Sequence, residues 1–200
     1  MDSFLYPHLP ARVARVHLAL FDHVSNAAHI RERIVRASQL EGPEGDRERE
    51  AVNFAFIDAR LITSMLHLQT AIYQAILAEV QGALRTKTVH SEILWALSPN
   101  NNITEAIRRF GVSDNTTALI VVRVGPSGVT DIEDRTKAVV TGDLLPLSDL
   151  TKLTDWATVR KYYKLNADPA LKAPGMTPAQ QQLAADEIVV STVAMKSVAT

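Results

Sequence analysis

The chain has 200 residues, 46% of them hydrophobic, which suffices to bury one sizeable core, so a single domain over 1–200 is expected. Lys plus Arg total 21 against 22 Asp plus Glu, which excludes a global field that would gather the protein onto nucleic acid or an anionic membrane. Cysteine is absent, and with it a disulfide framework, Cys-ligated zinc, iron–sulfur clusters and a cysteine nucleophile.

Arg12 to Phe21 alternates as a strand does, with Val16, Leu18 and Leu20 on one face and His17, Ala19 and Phe21 on the other. Ser25 is the expected N-cap of a surface helix, in which Ala27, Ile30, Ile34 and Ala37 recur at helical spacing while Arg31, Arg33 and Arg36 face elsewhere. Residues 41–50, EGPEGDRERE, combine Gly, Pro and dense mixed charge, and the reading is a flexible charged loop. Asn53 to Ile57 reads as a short apolar strand. Met65, Leu68, Ile72, Ala75 and Ile76 then line one stripe of a longer segment, the principal buried helix.

After Gly82 the segment Arg85 to Val89 is β-prone, and His90 to Ala96 reads as a short helix. Asn102 opens a well-signed helix: an Asn N-cap, Glu105 three residues on to complete a capping box, and Gly111 beyond Phe110 as a C-terminal stop. Thr117 to Val124 is apolar on both faces and predicts a central strand, with a turn over 125–128. The remainder reads as helical over 131–140, 147–152, 155–164 and roughly 178–198, with a Pro-rich connector at 166–178. The order implies an α/β fold: a mixed central sheet with an antiparallel possibility, flanked by helices, and a helical C-terminal region. The longest apolar runs are broken by charge well before the roughly 18 residues that span a bilayer, and the N-terminus lacks a basic stretch ahead of an apolar one. No membrane contact and a location in cytoplasm and nucleus are expected.

Motifs for chemistry are missing. The six histidines, at 8, 17, 23, 29, 67 and 90, form no H-x-x-x-H or H-E-x-x-H pattern, so no metal site is expected. G-x-G-x-x-G, Walker-type and G-x-S-x-G patterns are likewise absent, and no cofactor is expected. Asp58, Glu92 and Glu105 lie nearest to ordered elements, yet nothing pairs them for acid–base work. Two regions stand out instead. Ser98-Pro99-Asn100-Asn101-Asn102 reads either as a polar turn into the next helix or as a set of donors to a phosphate or base edge. Arg85, Lys87, Arg108 and Arg109 are its nearest cations in sequence. In the C-terminal third, Trp156, Val159, Tyr162, Tyr163 and Leu165 precede an apolar run, Ile188, Val189, Val190 and Val193, that exceeds one narrow face. That helix is expected to be covered both by its own domain and by a partner.

At SPNNNITEAIRRFG the sequence resembles the TPRKB-like family, the small subunit of the KEOPS (EKC) complex that binds the complex's PRPK-type atypical kinase. The likeness extends over VHLALFDHVSNAAHIRERI, FAFIDARLITSMLHLQTAIYQAI, RTKTVHSEILWALSPNNNITEAIRRFG and WATVRKYYKL, in the family's order and over most of the chain; the charged loop at 41–50 and the connector at 166–178 depart from it. The resemblance implies a non-catalytic accessory subunit, with other KEOPS subunits as indirect partners, supporting threonylcarbamoyladenosine modification of tRNA and, in fungi, telomere maintenance. Val159, Tyr163, Leu165, Val189 and Val193 are then the candidate kinase contacts. Arg85, Lys87, Asn100, Asn101, Arg108 and Arg109 are the candidate contacts to a tRNA 3′ end. The alternative is an RNA-end-binding module whose main work is to position tRNA. An enzyme with an unfamiliar site is the third reading.

Overall fold

The computed structural model describes residues 1–198, so the last two residues of the expected domain lie outside it. Five strands form one sheet: β1 (Asp2–Leu5), β2 (Arg15–Asp22), β3 (Ala55–Asp58), β4 (Leu119–Gly125) and β5 (Asp143–Leu145). Their order is β1-β2-β4-β3, and β5 pairs with β2 beyond the end of β1. Every pairing is antiparallel, which realises one of the two options the sequence left open. The central pair runs from Arg15 opposite Gly125 to Phe21 opposite Leu119. This register fixes which residues share a face, because side chains alternate along a strand.

Val16, Leu18 and Leu20 join Ile57, Ile120 and Val122 in the main core, whereas Ala19, Phe21, Phe56, Leu119 and Val121 build a second core on the opposite face. The second core is closed by α1 (Ala27–Gln39) through Ala27, Ile30 and Ala37, and by α6 (Ile132–Val139) through Ile132 and Val139. Over the main core lies α3 (Met65–Val80), whose Leu68, Ala71, Ile72, Ala75 and Ile76 are all buried. Each fully buried Leu or Ile stabilises by about 1.5–3 kcal/mol relative to exposure. Beside it sit α4 (Val89–Leu97) and α5 (Ile103–Phe110), then α7 (Leu150–Leu153), α8 (Trp156–Tyr162) and α9 (Pro178–Met195). No described helix is long and apolar enough to cross a membrane.

Several elements differ from the sequence expectation. Residues 41–50 are not a loop but mostly helix α2 (Gly42–Ala51). Its charges bind it to α1: Arg33 grips Glu48 with two hydrogen bonds (2.7 and 3.2 Å), and Arg49 donates to the carbonyls of Ala37 and Leu40. Gly45 lets the two backbones meet, since a Cβ there would lie 2.4 Å from the Leu40 carbonyl oxygen. Residues 85–89 form no strand, because the amides of Arg85 and Thr86 donate to the Glu92 carboxylate and Thr88 caps α4. The N-cap position of α1 is Asn26 rather than Ser25, and its side-chain amide instead ties the start of α1 to Val139 and Thr141 at the end of α6. The α5 cap is half of the expected box: Asn102 accepts from the Glu105 amide, but Glu105 turns to Asn100 and Arg109. Gly111 has φ −78°, not a left-handed stop; its lack of a Cβ admits the Ile107 carbonyl, which a Cβ would meet at 2.5 Å. The connector at 166–178 is anchored at its start, where two 3₁₀ turns seat Leu165 and Leu171 in the main core.

Candidate functional site

Helix α4 organises the surface of interest. Its Glu92 is 1% exposed and its carboxylate accepts from the Arg85 and Thr86 amides (3.0 and 2.8 Å) and the Thr86 hydroxyl (2.7 Å). A helix ends with carbonyls that lack intrahelical partners, and burying them unsatisfied is costly. Here side chains from far along the chain supply the donors. The Tyr163 hydroxyl donates to the Leu97 carbonyl at 2.5 Å, and the Lys196 ammonium donates to the carbonyls of Trp95, Ser98 (2.5 Å) and Asn100 (2.9 Å). The ammonium also lies 4.0 Å from the centre of the Trp95 ring, a cation–π contact. Burial lowers the Lys196 pKa to about 8, with the negative charge of Glu92 opposing the fall, so the group is mostly charged at neutral pH.

Tyr163 completes a second buried network. Because its single proton goes to Leu97, it accepts from His67 Nε2 at 3.1 Å; the other ring nitrogen then accepts from the amide and hydroxyl of Thr63. His67 is neutral in that arrangement, and complete burial lowers its pKa to about 3. Burial raises the Tyr163 phenol in turn.

The five side chains expected to face a kinase are core residues. Val159, Tyr163, Leu165, Val189 and Val193 are between 0% and 8% exposed and belong to the main core, where they seat α8 and α9 on the rest of the domain. A charge at Val193 would therefore enter the core rather than mark a binding surface. What the helical spacing did separate is a second stripe on α9. Leu183 and Met195 are 62% and 58% exposed, and Glu187, Ile188, Ser191, Thr192 and Met195 line a shallow open groove. Leu66 of α3, the helix against which α9 packs, is 60% exposed. The sequence signal for these residues was the absence of charge from Ile188 to Met195.

The six candidates for RNA contact divide in the same way. Asn100 is engaged within its own loop: its carbonyl oxygen accepts from the Asn102 amide (3.0 Å) and its NH₂ donates to Glu105 (2.9 Å). Arg109 is half-buried, paired with Glu105 and stacked 4.6 Å from the Tyr162 ring centre. Both are committed to contacts within the domain. Asn101, Lys87, Arg85 and Arg108 are exposed. Arg85, Trp95, Glu92, Lys196, Gln74 and Gln81 line a cavity of about 190 Å³ between α3, α4 and the end of α9. Lys196 thus borders both the cavity and the loop at 98–100. Asp58 is engaged by Arg60 at 2.6 Å, Glu92 by the loop amides and Glu105 by Arg109. Among the described residues no group of three or more His, Asp or Glu is placed to hold a metal ion.

Known proteins add a family to this geometry. The family model described as kinase binding protein CGI-121 matches residues 21–197. A protein of Cryptococcus neoformans var. neoformans serotype D named EKC/KEOPS complex subunit CGI121 is 39% identical over 233 aligned residues, covering 99% of this chain and all of the relative. Similarly named subunits of Gibberella zeae and Aspergillus fumigatus are 38% and 34% identical, with 83% of both chains aligned in the first case and 82% of this chain with 84% of the relative in the second. The resemblance read from the residues is borne out, and the chain belongs to the kinase binding protein CGI-121 family.

Proposed function

We propose that the protein is a non-catalytic accessory subunit of an EKC/KEOPS complex that docks on and activates the complex's atypical kinase through the outer face of α9. The observation that carries this reading is the make-up of that helix. Ala185, Val189 and Val193 face the main core and Ile188 packs partly against it, yet Leu183 and Met195 stand open on the outer side at 62% and 58% exposure, in line with Glu187 and Ser191 at four-residue spacing. A helix apolar on both sides is ordinarily covered on both sides. The family description names the class of partner. Support of threonylcarbamoyladenosine modification, a part in telomere maintenance and a location in cytoplasm and nucleus follow from the same resemblance.

The test is calorimetry with the KEOPS kinase subunit of the same source. The wild-type chain should form a one-to-one complex. The double variant Leu183→Glu, Met195→Glu should keep its circular dichroism and lose about 30-fold or more in affinity, the effect of removing anchors worth about 2 kcal/mol. A folded double variant with wild-type affinity would move the interface off α9, and no binding by the wild type would end the kinase reading.

A second reading, contact with a single-stranded tRNA 3′ end, is favoured by the cavity of about 190 Å³ to which Arg85, Gln74 and Gln81 present polar side chains beside the Asn-rich loop. Donors to phosphate and base edges are among what such ends require. Arg85→Ala and Asn101→Ala should weaken binding of a CCA-ended RNA oligonucleotide without changing kinase affinity, and the wild-type affinity should fall with salt.

A further inference from the structure

The last turn of α9 and the Asn-rich loop are far apart in sequence, yet one side chain holds them together. Among the partners of Lys196 are the carbonyl oxygens of Trp95, Ser98 and Asn100, so its ammonium takes up the C-terminal end of α4 and the first half of the loop at once. The loop's other bonds are local: the Asn100 amide donates to the Ser98 hydroxyl at 3.4 Å, the Ser98 hydroxyl to the Asn100 side chain at 3.3 Å, the Asn102 amide to the Asn100 side chain at 3.0 Å, the Asn100 NH₂ to Glu105 at 2.9 Å and the Trp95 indole N–H to the Asn101 carbonyl at 3.5 Å. Three carbonyls turned toward one point repel each other unless a cation lies between them, and a cation at a helix C-terminus is favoured by the helix dipole. Lys196 is only 7% exposed, so water does not supply a ready substitute.

We propose that Lys196 is the positioning residue of the Asn-rich loop, fixing residues 98–102 in the shape that meets an RNA end and making that shape depend on the seating of the last turn of α9. The RNA part rests on the second reading above; the positioning part does not. One consequence is directional. The helix offered to the kinase and the loop offered to RNA share a single ammonium, so loosening the end of α9 loosens the loop, whereas a change confined to the outer stripe at Leu183 does not.

The experiment is backbone hydrogen exchange on the full chain carrying Lys196→Met, which keeps an apolar stem near Trp95 and removes the charge. Exchange at the Asn100 and Asn102 amides should rise about tenfold or more while the amides of β4 stay protected, and affinity for a CCA-ended RNA oligonucleotide should fall about tenfold. Lys196→Arg, which retains a cation and its donors, should restore most of the loop protection. If the methionine variant does not fold, Lys196→Gln carries the same expectation of a local rise. Unchanged exchange at 98–102 in a folded charge-removing variant overturns the proposal. A local rise in exchange with unaltered RNA affinity leaves Lys196 as the positioning residue and overturns the use of this loop for RNA.

Discussion

Replacing Tyr163 by Phe removes one oxygen from the junction of α3, α4 and α8 and leaves the ring in place. Two groups lose their partner: the Leu97 carbonyl, which accepts from the hydroxyl at 2.5 Å, and His67 Nε2, which lies 3.1 Å from it. Both are buried, His67 fully and Leu97 fully, so water does not replace the bond. A buried polar group left unsatisfied costs about 1–3 kcal/mol, so the pair should cost about 3 kcal/mol, while the ring's packing on Phe110 is unchanged. For a domain of this size each kcal/mol lowers the melting temperature by about 2–4 °C, so a fall of about 6–12 °C is expected. Urea denaturation followed by circular dichroism measures it directly, with the slope against denaturant as the control for an unchanged transition. The double variant His67→Leu, Tyr163→Phe should cost at least 1 kcal/mol less than the two single changes added together, because it removes one of the two orphans. A loss below about 0.5 kcal/mol for Tyr163→Phe, or strict additivity, would refute the network and with it the neutral Nε2–H form of His67.

Acid should unfold the protein in a range set by two histidines. His67 and His90 are buried, each with its pKa lowered to about 3 by burial, with Arg123 adding to the effect at His90. The unfolded chain binds those protons at about 6.5, so stability is complete above that value and falls as pH drops toward 3. Together they should remove about 3 kcal/mol between pH 6.5 and 5; denaturant melts at half-unit steps would show it, and a flat profile over that range would contradict it. Gly45→Ala should cost about 1–3 kcal/mol by forcing a methyl into the Leu40 carbonyl and prying α2 from α1, visible as faster proteolysis within 41–52. Normal stability in that variant would mean that the two helices part easily.

Much of the fold was legible because burial imposes a period. β2 and β4 alternate or run apolar, α3 and α9 repeat at helical spacing, and Asn102 caps α5 as its residue type predicts. The misses share a cause. β1 and β5 have four and three residues, too few to show a period, and exist because β2 offers them an edge. Helix α2 has no apolar stripe, and its contacts are ion pairs and carbonyl caps to α1. Residues 85–89 have strand-forming side chains, but a buried carboxylate takes their amides first. For the candidate surfaces the limit was different. Spacing shows that Val189 and Val193 are apolar neighbours, and it cannot show whether their cover comes from α3 of the same chain or from another molecule. Asn100 and Arg109 were recognisable as donors, but their acceptors are Glu105 and the loop itself.

The capping of α4 also bears on how the protein is made. The helix is complete when the ribosome has added Leu97, yet the donors for its final carbonyls come from residues 163 and 196. At roughly 5–20 residues per second, about 5–20 s pass before the last of them is synthesised. Through that interval the nascent chain carries an apolar helix with an unsealed end, and a chain that stops short of residue 196 never seals it. The protein is for this reason expected to need shelter during synthesis and to tolerate loss of its first residues better than loss of its last.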